Sequence, residues 1–536
     1  IKKNVKKINK GIKMSELGKN IGQFVSGSFT RLLLRQKSDQ VFEIGQLLVA
    51  GYSSKDYVIY KINDLRHGSQ IPNDSLELMA GYRLEREESS LMIFEPELRN
   101  YVLAQARPLI RVKVNPKTNK LEPLLPKTLP QFFDAVFEIN NNHLKFLEES
   151  ELDNPISLGN VRSGSKVLDT TISLEAKDVL THHILIPATT GRGKSNLVKV
   201  ILFNLMKNVE CGMLVFDPHN EYYESLQLHP ERKEYLRYYT PREHIDKIDL
   251  KFNVSVLTPR HIMGAIDLSI PQREALIVYH RRDRSNWVQN LFTGEIPQGV
   301  DARTMNALRR KVGILLNIEV SEDDDGIQIV EHGIYKLDGY ESTVSEIIKF
   351  LKEGKTIVVD TSLFSGSEEI FIATIIVENL FNTYKRHKFK NELYNLPVVS
   401  IVLEEAPRLI GKKALTVSEN IFGTIAKEGR KFNIGLIAIT QLPSIIEREI
   451  LANMNTKIIL GNEMGPERKA IIESAAQDLS DDYQNIGSLD KGEAIITSNF
   501  SKFAVPIMIP LFEDLIKKTD KKGDSKIKRG SPGLDS

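Results

Sequence analysis

Between residues 20 and 125, β-forming residues alternate or cluster in short runs, GQFVSGSF, QVFEIGQLLVAGY, YVIYKI and LIRVKVN, separated by turns rich in Gly, Asn and Pro. That pattern predicts a small, strongly curved all-β domain, a barrel. From about residue 165 the texture changes. HILIP leads into the apolar helical stretch SNLVKVILFNLMK, and MLVFD, TIVVD, PVVSIVLEE, IGLIAIT, TKIILG and EAIIT follow, several of them separated by long helical patterns such as EEIFIATIIVENLFNTYKRH. Strands that are apolar on both faces, alternating with amphipathic helices, predict a parallel sheet covered on two sides, an α/β core.

Between MLVFD and TIVVD the helical periodicity of PQREALIVYHRRDRSNWVQNLF and DARTMNALRRKVGILL fills a segment too long for a connection. It predicts an inserted helical subdomain at about residues 225–345. The expected organisation is a basic N-terminal arm over 1–19 with Met14 as a candidate natural start, a β-barrel over 20–160, the core over 161–512, and a flexible, densely charged tail over 513–536.

A length of 536 residues accommodates two to four domains. Apolar residues make up 41% and charged residues 26%, the composition of a globular rather than a disordered chain. No apolar run reaches the roughly 20 residues that span a bilayer, and no apolar core follows the basic N-terminus, so a cytoplasmic location without a membrane anchor is expected. The single cysteine, Cys211, lies among apolar residues and reads as a core thiol; one cysteine excludes an internal disulfide framework and a cysteine-rich zinc cluster. The formal charge of +2 announces no polyanion partner, so any nucleic-acid surface must be local.

Candidate chemistry starts at HILIPATTGRGKSNL. Eight positions, Ala188 to Ser195, match G-x-x-x-x-G-K-S/T except that Ala188 replaces the first glycine. Backbone N–H groups at a helix N-terminus, over Thr189, Thr190, Gly191, Arg192, Gly193, Lys194, Ser195 and Asn196, suit the phosphates of ATP; Lys194 would reach the β and γ phosphates and the Ser195 hydroxyl a Mg²⁺ ion. IVLEEAPRL ends an apolar strand in Glu404 and Glu405. At the C-terminal edge of the sheet, Glu404 would hold the metal through its water shell and Glu405 would activate the attacking water. IGLIAIT ends in Thr440 and Gln441, whose amide could sense the γ phosphate. MLVFDPHNEYY ends in Asp217, read either as a cap of the next turn or as an auxiliary metal or water contact. Arg430, in EGRKFNIG, would emerge on the opposite side of the domain from the nucleotide, where in a ring it could reach a neighbour's site as an arginine finger; Arg408 is the competing candidate.

Together ATTGRGKSN, LVFDPHNEY, IVLEEAPRL, EGRKFNIGLIAITQLPS and GSLDKGEAIIT resemble the HerA branch of the FtsK-like ATPases, the archaeal HerA translocases most closely. The resemblance covers roughly residues 15 to 512. It implies a RecA-like phosphate-loop ATPase core preceded by a small barrel, and a homo-hexameric ring that moves double-stranded DNA with ATP and Mg²⁺, working with a NurA-type nuclease on DNA ends for recombinational repair. The family usually has Gly at the position of Ala188 and Asp at that of Glu404, which leaves the division of labour between the two glutamates open. The arginine-rich runs YHRRDRS and NALRRKV are candidate pore-lining cations, but each reads first as a solvated helix face, and neither is assigned as a DNA contact. Two other functions fit the motifs: a ring ATPase that pumps another substrate, as in conjugation or secretion, and an ATP-gated scaffold without processive movement.

Overall fold

The computed structural model describes residues 17–86, 100–148, 152–242, 247–323, 326–337, 343–417, 420–517 and 519. The basic arm before residue 17 and the tail beyond residue 519 lie outside the described residues. The chain forms two compact units, one of residues 1–153, 157–173 and 477–509, the other of 154–156, 174–476 and 510–536.

The first unit is built on a closed barrel. Its strands neighbour one another in the order Arg31–Gln36, Asn20–Ser28, Ala135–Glu138, Leu47–Ser53, Asp56–Ser69 and Asn100–Val114, and the last pairs back onto the first, Leu32 opposite Ala106 and Leu34 opposite Ala104. Closure removes the sheet edges that would otherwise expose unpaired backbone. The interior is filled by Leu34, Leu48, Ile62, Ala104, Ala106 and Val136, all fully buried. Gly22 meets the Arg35 carbonyl, which would lie 2.6 Å from any β-carbon there, so strand approach at that point needs glycine.

EAIIT departs from the expectation of a further parallel strand. Glu493–Ser498 pairs antiparallel with Val505–Met508, which pairs antiparallel in turn with Pro155–Ser163. Only residues 499–504 connect the first two strands, and a parallel crossover needs a dozen or more. In the same unit the ammonium of the buried Lys61 sits 2.5 and 2.7 Å from the Asp482 carboxylate, and Arg107 donates to it at 3.0 Å. Asp482 is buried with its charge fully paired, the condition under which a buried ion pair is tolerated.

The second unit contains the α/β core. Its strands run in the order Ile248–Asp249, Leu236–Thr240, Thr356–Asp360, Cys211–Asp217, Val398–Leu403, Ile434–Thr440, Ile184–Pro187 and Thr456–Leu460, all parallel. Every residue of Cys211–Asp217, Val398–Leu403 and Ile434–Thr440 is buried, the two-sided burial that their unbroken apolar runs require. The strands Leu236–Thr240 and Ile248–Asp249, inside the segment read as a helical insertion, extend the sheet instead: LRYYT carries two β-forming tyrosines and buries four of its five residues. The helices of that segment, Pro259–Ala265, Ile270–Arg282, Trp287–Thr293 and Ala302–Leu316, pack around Trp287, whose indole N–H donates to the Leu257 carbonyl at 3.1 Å.

Two further readings gain a physical account. Cys211 is buried, and burial pushes its thiol up to about 12, so it is an inert core group. Arg309 donates to the carbonyls of Leu291 and Gly294 at 2.8 and 2.7 Å, satisfying the end of the helix Trp287–Thr293, and Lys311 donates to the Asp267 carbonyl at 2.7 Å. These two cations of NALRRKV serve the packing of the helices.

Candidate functional site

The loop 188–193 leaves the strand Ile184–Pro187 and enters the helix Lys194–Leu205. Ala188 is fully buried, its N–H donates to the Thr440 carbonyl at 3.0 Å, and it is not among the positive-φ residues, so a β-carbon costs nothing there. Gly191 and Gly193 stand at φ +83° and +99°, a region that side chains avoid, and Gly193 is the N-cap of the helix. Thr189 fastens the loop by donating its N–H and hydroxyl to the Gly461 carbonyl at 3.2 and 3.1 Å. Arg192 pairs with Glu463. Behind the loop, Asn196 anchors the chain at residues 510–512, donating to the Pro510 carbonyl and accepting the Phe512 N–H, both at 2.9 Å.

The sheet brings distant residues to this loop. The strands Val398–Leu403, Ile434–Thr440 and Ile184–Pro187 are consecutive neighbours, and ligands of open parallel sheets bind beyond the C-terminal strand ends. Gln441, following the middle strand, accepts a hydrogen bond from the Thr190 hydroxyl at 3.0 Å. Glu404 lies near enough to Lys194 for the ammonium to stabilise its charge; burial nevertheless raises its carboxyl above the usual range. Glu405 is 45% exposed and stands at φ +52°, uncommon for a side chain of this kind. Its carbonyl accepts the Arg408 N–H at 2.9 Å, and the Ala406 N–H donates to the Ile439 carbonyl at 3.0 Å, which pins the turn.

Asp217 accepts the N–H groups of Glu221 and Tyr222, each at 3.0 Å. That is the capping geometry. Its carboxyl is raised by burial, offset in part by those N–H groups, and the neighbouring Asp360 pushes the same way. Asp360 is itself lowered: burial opposes ionisation, but the N–H and hydroxyl of Ser362 and the hydroxyl of Thr240 outweigh it. The turn that Asp217 caps carries Tyr222, whose hydroxyl donates to Glu404. Tyr222, the first tyrosine of NEYY, carries no sign in the sequence of its partner 182 residues on. Glu369 likewise carries no signal in the sequence; it sits with Arg408 Nη1 at 3.8 Å, and burial raises its carboxyl while Arg408 opposes and Glu404 and Glu405 reinforce.

Arg430 is not at this cluster. It lies in the short 3₁₀ turn Gly429–Phe432, just before the strand that Gln441 follows, so the two occupy opposite edges of the sheet, roughly 23 Å of strand apart. Its side chain is exposed.

A Mg²⁺ ion would find oxygen donors here in the Ser195 hydroxyl and the Glu404 carboxylate. Among the described residues no group of three or more His, Cys, Asp or Glu side chains comes together as a metal cage. The donor set therefore fits an ion that takes most of its ligands from phosphate and water, as Mg²⁺ does.

Residues 156–380 match the family model described as Helicase HerA, central domain. The chain is 28% identical over 388 residues to the DNA double-strand break repair helicase HerA of Sulfurisphaera tokodaii, covering 70% of this chain and 74% of the relative. It is 24% identical over 387 residues to the HerA of Pyrococcus furiosus, covering 64% and 68%. Among solved structures it is similar to VirB4 of Thermoanaerobacter pseudethanolicus (TM-score 0.43, 15% identity, 67% of this chain and 98% of that one) and to the plasmid coupling protein TrwB in complex with ADP and Mg²⁺ (0.45, 12%, 70% and 93%). The resemblance read from the motifs is borne out, and so is the fold, an α/β phosphate-loop ATPase core preceded by a closed six-stranded barrel.

Proposed function

We propose, from the premise that this chain carries a HerA-type central domain, that it is an ATPase that moves along double-stranded DNA and acts as a homo-hexameric ring in the repair of DNA ends with a partner nuclease. The observation that carries the ATPase reading is the junction at the phosphate loop, where Thr190 meets Gln441 and the Glu404–Glu405 strand end stands beside Lys194. The DNA reading is supported by the relatives named as DNA repair helicases.

In this reading the amides of 189–196 and Lys194 hold the phosphates of ATP, and Ser195 and Glu404 hold Mg²⁺, which would neutralise charge building on the phosphates during transfer. Glu405, exposed on its turn, orients the attacking water and takes its proton. Asp217 works one step removed: it caps the turn that carries Tyr222, and Tyr222 holds Glu404 in place. Gln441 detects the γ phosphate through the same loop. Arg430, at the far edge, completes the neighbouring subunit's site.

No helix among the described residues is long and apolar enough to cross a membrane, and a cytoplasmic location is part of this proposal. The deciding measurement is ATP hydrolysis by the full chain with and without duplex DNA. Strong stimulation supports the motor; indifference to DNA across a range of salt would favour an ATP-gated scaffold.

A further inference from the structure

The helices Pro259–Ala265 and Gly366–Phe389, together with the residues that follow the acidic pair, enclose a cavity of about 490 Å³. That volume lies in the range of small-ligand sites. Met263, Ile370, Leu409 and Ile421 supply an apolar lining, and three guanidinium groups, Arg260, Arg273 and Arg408, line it as well. Glu378 is the one carboxylate among the lining residues, and it is already engaged by Nε2 of His261 at 2.9 Å. Arg273 gives its Nε–H to the Leu268 carbonyl at 2.9 Å, which fixes the stem of that side chain. Arg260 also stabilises the Glu378 charge, and Asp267, outside the lining, stands 3.9 Å from Arg273; within the lining three arginines still face one carboxylate, which leaves the positive charge and the forked donors that a phosphate selects.

Arg408 belongs to two places. It lines the cavity, and it also stands between two carboxylates, 3.8 Å from Glu369 and 4.0 Å from Glu405. Neither distance is a hydrogen bond, so its donors can be taken by a group with better geometry. Ion pairs this long at a partly exposed site are weak, whereas a forked arginine–phosphate contact is short and charge-assisted.

We propose that this cavity takes a backbone phosphate of the DNA, and that the phosphate draws Arg408 away from Glu405, freeing Glu405 to activate water. Without DNA, Arg408 holds the base in an ion pair on its own short turn and ATP turns over slowly. With a phosphate seated, the carboxylate is released toward the nucleotide. Arg408 is thus a positioning residue that acts through Glu405. The inference rests on the reading of the chain as a DNA-dependent ATPase.

The test assays the full chain for ATP hydrolysis against a short blunt duplex, the same duplex with neutral methylphosphonate linkages, and inorganic phosphate, with duplex binding followed in parallel by fluorescence anisotropy. In Arg260→Gln/Arg273→Gln the duplex concentration that half-stimulates hydrolysis rises roughly tenfold or more, tenfold being the factor that loss of even one of the two charge-assisted contacts produces. In Arg408→Gln the DNA-free rate rises several-fold over wild type and added duplex contributes little more; Arg408→Lys, which keeps the charge, restores the low DNA-free rate and shows that the variant effect is not misfolding. The methylphosphonate duplex stimulates weakly. An unchanged half-stimulating concentration in the double variant overturns the cavity as a DNA site, and an Arg408→Gln enzyme with a low DNA-free rate and intact stimulation overturns the release mechanism. Stimulation of wild type by inorganic phosphate, lost in the double variant, overturns DNA as the source in favour of a free anion. A wild-type protein whose stimulation by duplex survives unchanged in both the double variant and Arg408→Gln refutes this inference alone, whereas a wild-type protein that duplex does not stimulate refutes the translocase reading beneath it.

Discussion

The hydroxyl of Thr190 donates to the side-chain oxygen of Gln441 at 3.0 Å, joining two residues 251 positions apart in the chain. One belongs to the loop that would wrap the phosphates, the other to the end of the adjacent strand. A change at the γ phosphate that moves Thr190 therefore has a direct route to the segment after Gln441. Gln441→Ala should keep ATP affinity within a few-fold of wild type while DNA-stimulated hydrolysis drops by roughly 10-fold or more, as removal of a single preorganised polar contact does. Nucleotide titration and steady-state rates measured on the same preparation check it.

Glu405→Gln keeps the size and the turn but removes the base. Turnover should fall by roughly 10²- to 10⁴-fold, the usual worth of a positioned general base, with ATP binding retained. Normal hydrolysis by this variant would move the assignment to Glu404.

Tyr222→Phe removes the only group that donates a hydrogen bond to Glu404 among the described residues. The carboxylate is then left half-buried and unrestrained, at a cost of about 1–3 kcal/mol for an unsatisfied polar group. The half-activating Mg²⁺ concentration should rise several-fold, with the rate largely recovered at saturating Mg²⁺. A lower rate at every Mg²⁺ concentration with unchanged half-activation would show that Tyr222 acts on folding alone.

Arg430→Ala and Lys194→Ala should each abolish hydrolysis. If Arg430 completes a neighbour's site, mixing the two inactive proteins rebuilds some whole sites and restores a fraction of the activity. No recovery in mixed assemblies of confirmed composition would place Arg430 outside the site.

Acid should weaken the fold through two buried histidines. Burial holds the imidazoles of His143 and His183 down to about 4, from 6.5, and each ring accepts a backbone N–H, from Asn140 at 3.2 Å and from Leu436 at 3.0 Å. In the unfolded chain both take a proton near 6.5. Their contribution is therefore complete above that pH and is lost as pH falls from 6.5 toward 4, by up to the order of 3 kcal/mol per histidine. His183 sits at φ +62°, which asparagine tolerates, so His183→Asn retains an acceptor without titrating. Urea midpoints for the variant should depend less on pH between 7 and 5 than those of wild type.

What could be read ahead of the structure is what the chain carries locally. The phosphate loop is contiguous: its glycines must take positive φ and its Lys-Ser must open a helix, and both needs are written within eight residues. The strands that end in Glu404 and Gln441 were legible because burial on two faces demands unbroken apolar runs. The barrel followed from turn spacing for the same reason. By contrast, LRYYT is short and was hidden inside a helical stretch, and EAIIT looks like its parallel neighbours until the six-residue link to its partner is known.

The sequence by itself determined the phosphate loop, the acidic strand end, the amide-terminated strand and the two kinds of architecture, because each depends on residues close together in the chain and on side-chain size, polarity and period. Tertiary structure alone decided which strands are neighbours, that Tyr222 holds Glu404, and that Arg408 stands between Glu369 and Glu405 at the edge of a cation-lined cavity. Those relationships come from pairings between distant strands, and no local preference encodes the partner; only the packing of the whole sheet brings the groups within reach.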